Sequence, residues 1–199
     1  VSDLGLLSGA ADPPDGKIPK MTGDGLKRQE ARRVKFPTAG SGSGFGIKAD
    51  GPEDRSLGER CILGRPSGPP LRPETYNNTV QIFQTSTHIA LLAEMGHVAR
   101  TVPLDGRPHD SVRQWAGQSR GRWEGDTLVI ETTQFRADAA EFIARGASQN
   151  LRLVERISRA DADSLTYEFT IDDSTTWERP WTARFPLTKE VAMYEVECH

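Results

Sequence analysis

Beyond Asn78 the chain alternates polar and apolar residues in short runs separated by turn chemistry. The run TVQIFQTSTHIALLAEMGHVARTVPL is rich in β-branched residues and free of Pro until Pro103. It predicts two strands with a turn or kink near Ser86-Thr87 or Met95-Gly96. DGRPHD then reads as a turn, with Gly106 able to take a left-handed conformation and Pro108 ending any pairing. Asp110 to Ala116 reads as one helical turn capped by Asp110 or Ser111. The clearest hairpin is GRWEGDTLVIETTQF, folded about Glu124-Gly125-Asp126. LRLVERISRA, a turn at Asp161-Ala162-Asp163, LTYEFTIDD, TTWERPWTARFPL (broken by Pro180 and Pro186) and VAMYEVEC continue the series. Only DAAEFIAR, Asp138 to Arg145, has helical composition, and it predicts a small helix between strands. Short strands recurring with turn signals indicate an antiparallel meander, hence a barrel or sandwich.

Residues 1–75 have another texture. ADPPDGKIP, TAGSGSGFG, ADGPED and GRPSGPP place Pro and Gly too densely for long helices or central strands. One helix is predicted from Thr22 to about Arg33, with Thr22 as its cap. Apolar residues recur at Leu4, Leu6, Leu7, Ile18, Phe36, Phe45 and Ile47, so the segment reads as an arm packed on the rest. The expectation is one domain, mainly all-β: an irregular N-terminal arm over 1–75 and an antiparallel β-barrel over 76–199, with one or two short helices.

Composition narrows the classes of function. With 199 residues, 36 % hydrophobic and 27 % charged, the chain has the makeup of a soluble globular domain. Its formal charge is -3 and its basic residues are interleaved with acids, so no stripe exists to displace counterions from nucleic acid or anionic lipid. No run reaches the roughly 20 apolar residues that span a bilayer. Nucleic-acid and membrane partners are therefore not expected. Cys61 and Cys198 lie far apart in sequence without C-x-x-C spacing. They read either as a disulfide tying the front segment to the last strand, the favoured reading, or as two separate thiols.

Three clusters are candidates for chemistry. Glu94, His97 and His109, with Arg100 close in sequence, supply a carboxylate, imidazoles and a guanidinium, the groups proton transfer requires. In a regular strand Glu94 and His97 face opposite ways while Glu94 and Arg100 share a face; a bulge at Gly96 would restore the first pair to one side. The competing reading is a surface Glu and a polar loop His. Metal binding by Glu94, His97 and His109 is the less favoured variant, since the four His residues include no H-x-H or H-x-x-x-H pair, and no strand-GxGxxG-helix unit marks a dinucleotide site, so no cofactor is expected. Arg120 and Arg122 share a strand face and suit a carboxylate or phosphate, or else form a solvated pair, while Trp123 turns the other way, toward a core. Glu131, Glu155 and Glu168 each lie in an apolar strand. Leu151, Leu153, Glu155 and Ile157 alternate onto one face, so Glu155 is expected inside, where it needs a counter-ion such as Arg100, Arg122 or Arg156.

PDGKIP, EDRSLGERC, YNNTVQIFQT, HVARTVPLDGRPH, RQWAGQSRGRWEGDTLVIETTQF, NLRLVERISRADADSLTYEFTIDD, RPWTA and MYEVECH together resemble a large, mostly uncharacterised group of exported bacterial proteins. That resemblance implies a periplasmic or secreted location and a Cys61–Cys198 pairing; it implies no reaction. The GRWEGDTLV hairpin is also similar to hairpins of lipocalin and fatty-acid-binding barrels, which makes the expected barrel lipocalin-like. Such a barrel encloses a small-molecule cavity. Two functions follow as expectations. One is a cofactor-independent lyase, isomerase or hydrolase, with Glu94, His97 and His109 moving protons and Arg100, Arg120, Arg122, Trp123 and Glu155 holding substrate. The other is a non-catalytic carrier that binds a small molecule in the same cavity.

Overall fold

A computed structural model describes residues 10–35, 50–64, 67–73, 78–190 and 192–194. The chain is mainly antiparallel β, with two helices. Strand β1 (Ala10–Asp12) is followed by helix α1 (Gly23–Lys35). Strands β2 (Val80–Gln84), β3 (His88–Ala93) and β4 (Ala99–Pro103) come next, and β5 (Gln118–Glu124) with β6 (Thr127–Thr133) form the hairpin. Helix α2 (Ala137–Ile143) precedes β7 (Arg152–Arg159), β8 (Ser164–Asp172) and β9 (Trp181–Thr188).

The strands form two ladders. Six lie in the order β1-β9-β8-β7-β6-β5 and three in the order β2-β3-β4. Their inner faces share one core, in which Ile89, Leu91 and Val102 of the small sheet meet Ile130, Leu153, Phe169 and Ile171 of the large one. Period-two alternation accounts for the strong faces: β3 and β7 bury every second residue. At the junction β4 lies directly against β5. A Cβ on Gly121 would come within 2.7 Å of Leu104 Cδ2 and 2.8 Å of Val102 Cγ1, so only glycine permits that approach. The expected wall of antiparallel strands is present, but its two ladders are not joined by hydrogen-bonded pairing among the described residues.

The front segment is tied down at several points. Asp12 and Ala10 pair with Thr182 and Ala183, adding β1 to the edge of β9. Thr22 Oγ1 accepts from the Gly25 N–H at 3.1 Å, which is the expected cap of α1. Arg28 then pins the helix, donating to the carbonyls of Gly146 at 2.8 Å and Thr175 at 2.9 Å. Ser67, Gly68, Pro69, Pro70 and Leu71 are buried, so this Pro-rich stretch enters the core.

Several expectations need correction. Residues 79–104 form three strands, not two, because the chain turns at both Ser86-Thr87 and Met95-Gly96. Asp110 to Ala116 makes no helical turn. Instead Asp110 Oδ1 takes the Val112 N–H at 2.7 Å, and Gln118 caps the loop through the Asp110 N–H and the Val112 carbonyl, so side chains replace the helical bonds. Pro180 ends just before β9, but Pro186 lies within it, exposed, as an edge position allows. Residues 192–194 are not in a strand, and the rest of the expected last strand lies outside the described residues, as does Cys198 and with it the Cys61–Cys198 pairing.

Candidate functional site

Glu155 sits where the alternation of β7 places it, fully buried, and its counter-ion is Arg100 of β4. The guanidinium grips the carboxylate with two nitrogens: Nη2 donates to Oε1 at 2.8 Å, and Nη1 donates to Oε2. Burial pulls the Arg100 pKa down, but the charge and hydrogen bonds of Glu155 outweigh it and the net shift is upward. Tyr167 of β8 donates its hydroxyl to Glu155 Oε1 at 2.7 Å and accepts the Leu71 N–H at 2.9 Å. Burial, then the adjacent Glu155 charge, raises the Tyr167 pKa well above its ordinary value, so the phenol keeps its proton. The chain Arg100–Glu155–Tyr167–Leu71 thus ties both sheets to the Pro-rich stretch. Its polar groups are consumed by one another.

The acid–base candidates do not converge. Glu94 is 5 % exposed and opens a 3-10 turn over Met95–His97, in which Gly96 has φ 71° and His97 φ 51°. Gly96 therefore makes a tight turn between β3 and β4, not a bulge. It leaves Glu94 buried and His97 exposed. His109 lies beyond the other end of β4, in the loop before β5, half-buried with Nε2 making no hydrogen bond. Among the described residues no three His, Cys, Asp or Glu side chains group as metal ligands.

The β5 arginines are occupied. Arg120 holds the DGRPH loop, donating to the carbonyls of Arg107 at 3.1 Å and Pro108 at 3.0 Å. Arg122 donates to Glu124 at 2.6 Å, and Arg156 reaches the same carboxylate at 2.9 Å. Val129, flanked by both arginines in the register, is fully buried beneath their stems. Hydrogen bonds from Arg122 and Arg156 lower the Glu124 pKa. Trp123 does turn away from Arg120 and Arg122, but it is 46 % exposed because it sits near the hairpin end, beyond the cover of the small sheet. Glu131 points outward and pairs with Arg152 at 2.6 Å, and Glu168 pairs with Arg184 across β8 and β9.

Open space lies elsewhere. A cleft of about 830 Å³ runs between β2 and the β8–β9 hairpin. Its floor is Leu71, Val80, Leu165, Phe185 and Leu187, all in or against the main core. Its rim carries Arg159, Asp163 and Lys189, all exposed. Lys189 lies 3.8 Å from Asp163, and Arg159 reaches the carbonyl of Asp161 at 3.4 Å, so both cations are loosely held. The size is that of a small-ligand site. A second groove, about 550 Å³, lies between α1 and α2, but the guanidiniums of Arg28 and Arg32 in it already bind Gly146 and Glu141.

No sequence signal marked this cleft. Its described walls come from residues 71–73, 78–82, 159, 162–165, 185–190 and 192–193, and only the tertiary arrangement of strands leaves the gap between them. Comparison with family models, with characterised proteins and with solved structures finds no match for the chain.

Proposed function

We propose that this is a binding protein that takes a small molecule into the cleft beside β2 without transforming it, and that it works in the periplasm or outside the cell. The carrying observation is the cleft itself: an apolar floor continuous with the core, a rim of exposed charge, and volume for one ligand. Export rests on the resemblance of the DGRPH and SRGRWEGDTLV segments to exported proteins. The test is titration with the apolar anionic dye anilinonaphthalene sulfonate. Saturable binding is expected, weakened about tenfold by Leu187→Glu, which puts a charge on the floor. Dye binding unchanged in Leu187→Glu, with an intact circular dichroism spectrum, ends this reading.

One observation favours acid–base catalysis as a second reading. The buried Glu94 carboxylate accepts no hydrogen bond among the described residues, and it lies one tight turn from His97, whose left-handed backbone is uncommon for a non-glycine residue. Hydrolysis of p-nitrophenyl acetate above the buffer rate, lost in both Glu94→Gln and His97→Asn, supports it. Equal rates in all three proteins remove it.

A further inference from the structure

We propose that the cleft takes an extended oligopeptide whose main chain adds as a strand to the outer edge of β2, an inference that rests on the binding reading above. Val80, Gln81 and Ile82 all line the cleft. Consecutive strand residues point their side chains to opposite faces, so what these three present in common is the backbone edge. The phase of the β2–β3 ladder shows which groups that edge offers. The Thr85 N–H donates to the His88 carbonyl at 2.9 Å, and the Glu94 N–H to the Thr79 carbonyl at 3.0 Å. The register between them is unbroken. Hydrogen-bonded pairs therefore fall at Thr79, Gln81, Phe83 and Thr85, and the N–H and C=O groups of Val80, Ile82 and Gln84 point away from β3. Among the described residues nothing pairs with that side of β2.

Both outer edges of the six-stranded sheet are blunted. β1 is three residues long, shifts register, and runs into Pro13. β5 carries Arg120, Arg122 and Glu124 and has β4 packed on it at Gly121. β2 has none of these devices: VQIFQ contains no charge, Pro or Gly, it has no bulge, and Ile82 and Phe83 are 40 % and 52 % exposed. A regular, uncharged edge of this kind is a template for another strand. The stretch from Asn78 to Ile82 that lines the cleft extends about 17 Å, the length of a five-residue strand. Arg159 and Lys189, on the opposite wall, suit a peptide bearing an acidic side chain or its terminal carboxylate.

The probe is the fluorescein-labelled peptide Val-Thr-Val-Thr-Val-Glu, followed by anisotropy. Two further peptides carry backbone N-methyl groups, one at the odd and one at the even residues, so each loses the donors of one edge. One methylated peptide is expected to bind about tenfold more weakly while the other matches the parent. Ile82→Pro is expected to lose about the same, since it deletes one outward N–H yet leaves the β2–β3 ladder intact. Equal binding of all three peptides, unchanged binding to Ile82→Pro, or no binding of the parent overturns the proposal. If the dye still responds to Leu187→Glu in such a case, only the strand addition has failed; if it does not, the cleft reading has failed too.

Discussion

Arg100 and Glu155, one on each sheet, meet inside the molecule as a two-pronged ion pair with 6 % and 0 % side-chain exposure. Desolvating both charges offsets most of what their attraction gains, whereas removing one partner strands the other. Arg100→Met or Glu155→Leu alone is expected to cost about 3–5 kcal/mol. The double replacement Arg100→Met with Glu155→Leu is expected to recover most of that loss. Urea denaturation of the four proteins gives the coupling directly, and additive single effects refute the account.

Tyr167 is the link from that pair to the cleft floor. Its hydroxyl is the acceptor for the Leu71 N–H and a donor to Glu155. Tyr167→Phe leaves a buried backbone donor without a partner, at about 1–3 kcal/mol. Hydrogen exchange at the Leu71 amide is expected to quicken by more than the global loss of stability explains. Exchange that follows global stability alone contradicts a local role for the hydroxyl.

Part of this arrangement is legible in the sequence, and the dividing line is range. Period two at Leu151, Leu153, Glu155 and Ile157 fixes a buried carboxylate, and the need for a counter-ion makes Arg100 one of three candidates. Glu124-Gly125-Asp126 and Thr22 mark their turn and cap through local chemistry, with Gly125 at φ 58°. The strand count between Thr79 and Leu104 misleads because neither Ser86-Thr87 nor Met95-Gly96 is a strong turn signal by itself, yet both turn. Nothing local tells that VQIFQ ends up an outer strand with its last four residues exposed, or that Trp123 overhangs the core. Those facts depend on which strands become neighbours, and so does the cleft.

Acid sensitivity is expected to centre on Asp173. Its carboxylate takes the Ser148 N–H at 2.7 Å and the hydroxyls of Thr175 at 2.6 Å and Thr176 at 2.7 Å, fastening the β8–β9 connection to the loop after α2. Burial pushes its pKa up, but these hydrogen bonds outweigh burial and the net shift is downward. A carboxylate depressed in the folded state stabilises fully above its unfolded pKa of about 3.9 and loses that contribution as pH falls through the folded value. Stability is thus expected to decline below about pH 4. Asp173→Asn is expected to be less stable at neutral pH, with a shallower decline in acid. Parallel pH–stability curves for the two proteins disprove the assignment.

Gly121 is the point at which the small sheet touches β5, and its missing side chain makes that contact possible. A methyl group there lies 2.7 Å from Leu104 Cδ2 and 2.8 Å from Val102 Cγ1, and Val102 is fully buried. Neither neighbour is a flexible polar tip that can swing into solvent. Gly121→Ala therefore has to lift β4 or force off-rotamer side chains, at about 1–3 kcal/mol. Since Gly121 occupies a strand and needs no left-handed backbone, the loss comes from packing alone. Trimming the facing residue tests this: Val102→Ala alone is destabilising because it leaves a cavity, but in a Gly121→Ala background its cost is expected to fall sharply as the new methyl fills that space. Thermal or urea unfolding of the two single variants and the double variant reads the coupling. Strictly additive losses mean that the two sheets are not in contact at this residue.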